Sequence, residues 1–202
     1  MPQKDRARRT EHRRPRDFAL IPEAHDLRGM TITTLLDYRD SNVSDLIRSL
    51  KYEHSTHAAV IAAEILVDYL REEIASIKTF SPRPVILVPI PLHTSRLHER
   101  GFNQVEKVLR HLPTDFRDGS ISTVSKKLIE RTIHTAQQAK LSREERLDNV
   151  RGVFRVTNRH TVAHAHIILI DDVTTTGATL CECARTLEGA GAKITLLALA
   201  RA

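Results

Sequence analysis

Aromatic residues make up only 4% of the 202 residues, tryptophan is missing, and there are just two cysteines. Each shortage closes a class of reading. Cys181 and Cys183 sit two apart where a helix is expected, and residues i and i+2 of a helix point about 200° apart. They therefore suit neither a disulfide nor a shared metal, and read as small packing residues in a reducing compartment. No cysteine precedes them, so no cysteine zinc site is expected, and the spacing of His160, His164 and His166 fits a zinc site poorly. Tyr38 and Tyr52 stand alone and give no base-stacking pattern. A Gly-x-Gly-x-x-Gly turn and a Gly-Lys-Ser/Thr loop are both absent, which removes the common nucleotide motifs. No apolar stretch approaches the ~18 residues of a membrane span, and no leader-type apolar core follows Met1. The expected setting is the cytoplasm, with no membrane partner.

What is present is an ordinary globular composition, 41% hydrophobic and 28% charged, with a net charge of +6 that favours anionic partners. Residues 1–28 stand apart. "KDRARRTEHRRPRD" is basic and without period, and reads as a disordered arm able to meet single-stranded DNA. Order is expected from Met30. "TITTLLDYRD" reads as a strand or hairpin, followed by helical spacing at Val43, Leu46, Ile47 and Leu50 and a second helix from His57. "VILVPI" (Val85–Ile90), "IILI" (Ile167–Ile170) and "ITLLALA" are short apolar runs of the kind buried in parallel sheets. "ISTV" and "VFRV" are weaker strand candidates, and Phe102–His111 a helix. Leu128–Asn149 is long, polar and basic, and a histidine-bearing loop precedes Ile167. Apolar strands separated by helical patterns predict an α/β fold, a mainly parallel sheet with helices on both faces.

The informative stretch is "HIILIDDVTTTGATL". A buried strand runs into Asp171 and Asp172, then a short loop of threonines, glycine and alanine opens a helix ending near Gly189. Ligands of open parallel sheets sit beyond the carboxyl ends of the strands. Bare amides at a helix start, with hydroxyls beside them, can cradle a phosphate. Two carboxylates would repel that phosphate, so they face hydroxyl donors or a divalent metal instead. A phosphate next to a vicinal diol is a ribose 5-phosphate.

These residues resemble the phosphoribosyl pyrophosphate (PRPP) motif of type I phosphoribosyltransferases. "VPIPLHTSRLHERGFNQ" (Val88–Gln104), "LIRSLKY" and "RTIHTAQQAKLSREERLDNVRGVF" resemble segments of the ComF competence-protein family within that group. ComF-like proteins often carry an N-terminal cysteine zinc ribbon, which this sequence replaces with the basic segment. The resemblance implies a type I phosphoribosyltransferase fold with a small N-terminal hood at residues 31–78. It also implies transfer from PRPP, with Mg²⁺, to an unidentified nitrogen acceptor, pyrophosphate being displaced. Asp171 and Asp172 would hold the ribose hydroxyls or the Mg²⁺, and Arg131 would join them in catalysis. Thr174, Thr175, Thr176, Gly177, Ala178 and Thr179 would hold the 5-phosphate. Leu92, His93, Thr94, Arg96 and Arg100 would hold pyrophosphate. The stretch 128–149 would be a mobile loop bringing Gln137, Gln138 and Arg143 onto the ligand. A second reading stands beside this one: an accessory factor of competence or DNA uptake that binds PRPP without transferring anything. Either reading leaves room for a homodimer.

Overall fold

The computed structural model describes residues 10–92, 97–98, 101–132 and 152–202. Its elements are β1 (Glu23–Leu27), β2 (Met30–Asp37), α1 (Ser41–Tyr52), α2 (Thr56–Phe80), β3 (Val85–Pro89), α3 (Gln104–Arg110), β4 (Thr123–Val124), β5 (Ile129–Arg131), β6 (Phe154–Val156), α4 (Arg159–Ala163), β7 (His166–Thr174), α5 (Ala178–Glu188) and β8 (Lys193–Arg201). Six strands form one sheet in the order β1-β2-β8-β7-β3-β4, parallel throughout except that β1 runs antiparallel to β2. The α/β expectation therefore holds.

Two cores flank the sheet. On one face Leu35, Ile168, Ile170, Leu197 and Leu199 meet the apolar sides of α1, α2 and α3. On the other, Ile32, Ile167, Leu169, Leu196 and Ala198 meet α5 and the β5–β6 ribbon. The alternation along β7 follows from the two-residue period of a strand. Helix α2 is capped by Ser55, whose hydroxyl accepts from the Ala58 amide, and ends one residue before the Ser81-Pro82 break. Leu66 and Leu70 of α2 are wholly buried, each such burial stabilising by roughly 1.5–3 kcal/mol.

The structure corrects several expectations. Residues 10–28 are not a disordered arm. The Thr10 hydroxyl is buried and hydrogen-bonded to Ser49 at 2.8 Å, Phe18 is in the core, and Glu23–Leu27 pairs with β2. Residues 1–9 lie outside the described residues. The polar alternation of "EAHDL" hid a strand whose inward side chain is His25. The segment 31–78 supplies a strand of the main sheet and the two helices that cover it, so it belongs to the central domain. Leu128 and Ile129 are buried and Ile129–Arg131 pairs with Phe154–Val156, so the expected mobile loop cannot begin at residue 128. The histidine-bearing loop holds a short helix, α4, capped by Asn158.

Candidate functional site

Strand β7 does not stop before the aspartates. It continues to Thr174, so Asp171 and Asp172 are strand residues whose side chains fall on opposite faces. Asp172 follows Ile170 onto the face covered by α1 and α3 and is 4% exposed. There its Oδ1 lies 3.1 Å from the Lys51 ammonium and its Oδ2 accepts from Gln104 Nε2 at 2.5 Å. A buried charge needs such partners, and removing one of them typically costs 3–5 kcal/mol, the figure being about that order. Asp172 therefore supports the fold as well, because this carboxylate joins α1, α3 and β7.

Asp171 follows Leu169 onto the α5 face. Its Oδ1 accepts from the Asp172 amide at 2.8 Å. Its charge reaches Cys183 of α5: burial pushes that thiol well above its ordinary range, and the Asp171 and Glu182 carboxylates push the same way, against Arg131. Asp171 and Arg131 thus flank one thiol from two elements.

Both aspartates, Lys51, Gln104, Arg131, Leu92 and Thr179 line a cleft of about 150 Å³ at the carboxyl end of the sheet. Arg131 stacks its guanidinium over Phe154, 5.7 Å from the ring centroid, which holds it above the cleft. Asn103 Nδ2 donates to the carbonyl of Ile90, a lining residue, at 2.9 Å while its Oδ1 caps α3. This pins the end of β3, from which Leu92 extends. From α5, Glu182 Oε1 accepts from the Gly152 amide at 2.9 Å.

The loop from β7 to α5 has a defined shape. Thr174 is buried as the last residue of the strand, Thr175 and Thr176 are exposed, and Thr179 is partly buried. Gly177 precedes Ala178, the first residue of α5, with φ of +71°, and a Cβ there would come 2.7 Å from Ile32 Cδ1. Only glycine fits that conformation in that space. No side chain caps α5 and its first turn carries no acidic residue. The helix start is therefore open, electropositive and free of a competing carboxylate, the condition for holding an oxyanion.

Of the residues singled out from the sequence, Asp171, Asp172, Arg131, Leu92 and Thr179 meet at the cleft. Thr175, Thr176, Gly177 and Ala178 form the adjoining loop, while Thr174 is committed to the sheet, its carbonyl accepting from the Ala202 amide. His93, Thr94, Arg96, Arg100, Gln137, Gln138 and Arg143 lie outside the described residues. Sequence reasoning missed Lys51 and Gln104 as individual residues. Both sit inside stretches that carried the family resemblance, "LIRSLKY" and "VPIPLHTSRLHERGFNQ".

As a metal site the cleft is incomplete by itself: among the described residues no group of three His, Cys, Asp or Glu could hold an ion. Mg²⁺ commonly takes one or two carboxylates and completes its shell with substrate phosphates and water, and Asp171 suits that role while Lys51 already balances Asp172.

No family model matches the chain. The DNA utilization protein YhgH of Escherichia coli strain K12 is 30% identical over 162 residues, covering 80% of this chain and 67% of that protein. Competence protein F of Haemophilus influenzae is 30% identical over 121 residues, 59% of this chain and 51% of its own. Competence protein ComFC of Streptococcus pneumoniae is 33% identical over 130 residues, 64% and 51% respectively. The chain thus spans about half to two thirds of the length of these relatives. Among solved structures, an orotate phosphoribosyltransferase of Mycobacterium tuberculosis overlaps 96% of this chain and 81% of its own with TM-score 0.37 and 13% identity. A hypoxanthine phosphoribosyltransferase of Staphylococcus aureus overlaps 71% and 62% with TM-score 0.39 and 12% identity. At that degree of overlap neither carries an argument.

Proposed function

The chain belongs to the family of ComF- and YhgH-like competence and DNA-utilisation proteins, and from that premise and the cleft we propose that it binds PRPP with Mg²⁺ and transfers the phosphoribosyl group to a nitrogen acceptor. The observation that carries this reading is the loop Thr175–Thr179: an uncapped helix start, shaped by a glycine that nothing else can replace, directly after a strand that ends beside two carboxylates. Its amides and the Thr175, Thr176 and Thr179 hydroxyls would take the 5-phosphate. Asp171 would accept from the ribose hydroxyls or meet the Mg²⁺. Bound there, Mg²⁺ would neutralise charge on the departing diphosphate.

In transfer, a C1–N bond forms as the C1–O bond to pyrophosphate breaks; pyrophosphate leaves with the bonding pair and the nitrogen gives up one proton. The chain's part is placement and charge. Lys51 holds Asp172 as a fixed wall. Arg131, held on Phe154, supplies positive charge over the cleft, and Leu92 with His93, Thr94, Arg96 and Arg100 would receive the pyrophosphate. Gln137, Gln138 and Arg143 would close from the segment between β5 and β6.

Asp172 also supports the second reading, binding without transfer. Its charge is balanced by Lys51 and its other oxygen is held by Gln104, so it is built into the fold and not into the ligand site. The relatives named for competence and DNA utilisation give that reading a setting in DNA handling, with the Lys4–Arg16 charge cluster as the basic contact.

Calorimetry with Mg-PRPP, followed by pyrophosphate release across a panel of nitrogen acceptors, tests both. Binding with release supports transfer. Binding with no release from any acceptor supports the second reading, and absence of binding overturns both.

A further inference from the structure

A second, larger cavity of about 460 Å³ opens at the carboxyl ends of β2 and β8, lined by Ile21, Glu23, Thr34, Leu36, Asp37 and Arg201 among others. It adjoins the proposed phosphate loop. Arg201 is the register partner of Thr174, and the Ala202 amide donates to the Thr174 carbonyl at 3.0 Å. Adjacent strands are about 4.8 Å apart, so the cavity begins one strand away from the loop.

Hydrogen-bond directions fix what its floor can do. Arginine cannot accept, so in the Arg201 Nη1–His25 Nδ1 contact the guanidinium donates and the imidazole accepts. The ring proton of His25 is then on Nε2, which donates to Thr34 Oγ1 at 2.8 Å. Thr34 has accepted, and its own O–H is left to donate. Thr34 is 3% exposed and His25 6%, so this relay is built into the fold. The floor therefore presents a hydroxyl donor and the remaining N–H groups of a guanidinium, a fork that matches a carboxylate.

The opposite charge is at the rim. Arg39 satisfies Asp37 with paired hydrogen bonds, while Glu23, its side chain 69% exposed, lies with Oε2 3.7 Å from His25 Nε2. Ile21 and Leu36 supply apolar walls. With Asp37 and Arg39 paired to each other, the lining leaves the Arg201 guanidinium, the Glu23 carboxylate and apolar sides, which a ligand of matching polarity complements.

We infer that this cavity binds a small apolar-bodied molecule carrying both a carboxylate and an amine, the carboxylate on Arg201 and Thr34 and the amine towards Glu23. Its role as the seat of the nitrogen acceptor rests on the ribose-phosphate reading above; its binding property does not.

The test is a titration of 2-aminobenzoate followed by NMR, with aniline and inorganic phosphate as parallel probes. Saturable shifts are expected at the amides of Thr34, Asp37 and Ala202 with 2-aminobenzoate and not with aniline. Arg201→Gln, at an exposed strand end, and Thr34→Val should each weaken binding about tenfold or more, as loss of a charge-assisted bond implies. No shifts, equal shifts with aniline, or unchanged affinity in both variants would overturn the inference. Phosphate shifting these amides in place of 2-aminobenzoate would overturn it too and make the cavity a phosphate site. Mg-PRPP titrated into the parent separates the two proposals: its failure to bind sinks the ribose-phosphate reading alone, and failure of 2-aminobenzoate sinks this one alone.

Discussion

Asp171 and Asp172 are the same residue, one peptide apart, and the fold treats them as opposites. Asp172 is buried and held by an ammonium and an amide from two helices. Asp171 is partly exposed, lies near Cys183, and borders the cleft from the α5 side. The difference comes from the alternation of a strand and from what each face packs against it, α1 and α3 on one side and α5 on the other. In a doubled acidic motif, one member can be scaffold while the other borders a cleft, and burial says which is the scaffold.

The largest test of that division is stability. Asp172→Ala should cost about 3 kcal/mol, below the upper range for buried pairs because Lys51 keeps some solvent contact, with Asp171→Ala about 1 kcal/mol or less. Denaturant unfolding measures both, and equal losses would erase the distinction. A double-mutant cycle gives a smaller but cleaner number. Lys51→Met and Asp172→Asn should couple by about 1–2 kcal/mol, while Lys51→Met and Asp171→Asn should add within about 0.5 kcal/mol. Coupling to Asp171 of the larger size would show that Lys51 serves both carboxylates.

The smallest effect comes from the other end of the same strand. Burial first, then Arg83 and Lys193, lowers the pKa of His166 from its ordinary 6.5. A lowered value means that the unfolded chain binds the proton first as pH falls. Stability from this group is complete above about pH 6.5 and is lost as pH drops towards the lower folded value. Thermal melts of His166→Gln against the parent between pH 7.5 and 5 should show the parent falling more steeply. Parallel curves would remove His166 from the account.

The apolar runs at Val85, Ile167 and Ile194 were legible because buried parallel strands are hydrophobic on both faces. The aspartate–threonine–glycine stretch was legible because its chemistry is local in sequence. Lys51 and Gln104 were not singled out, since a partner 121 or 68 residues away leaves no mark in a single chain. Strand β1 was hidden for a related reason: its one inward side chain is a histidine, a polar residue that breaks an apolar alternation and is satisfied by Thr34 and Arg201 from other strands.

Strand β8 sits between β2 and β7, yet among the described strands it comes last in the sequence. During synthesis the β1–β2 hairpin has no parallel neighbour until Lys193–Arg201 leaves the ribosome, and β7 waits with one open edge. Pairing β2 with β8 closes a loop of more than 150 residues, a slow step in folding. Because Gly177 packs against Leu27 and Ile32 of that hairpin, the loop Thr175–Thr179 takes its final shape only when this closure is complete. A chain lacking β8 would carry the whole Asp-Asp-Thr-Gly signature without the hairpin packing that shapes Gly177, so the geometry of that loop depends on a strand that follows it in sequence.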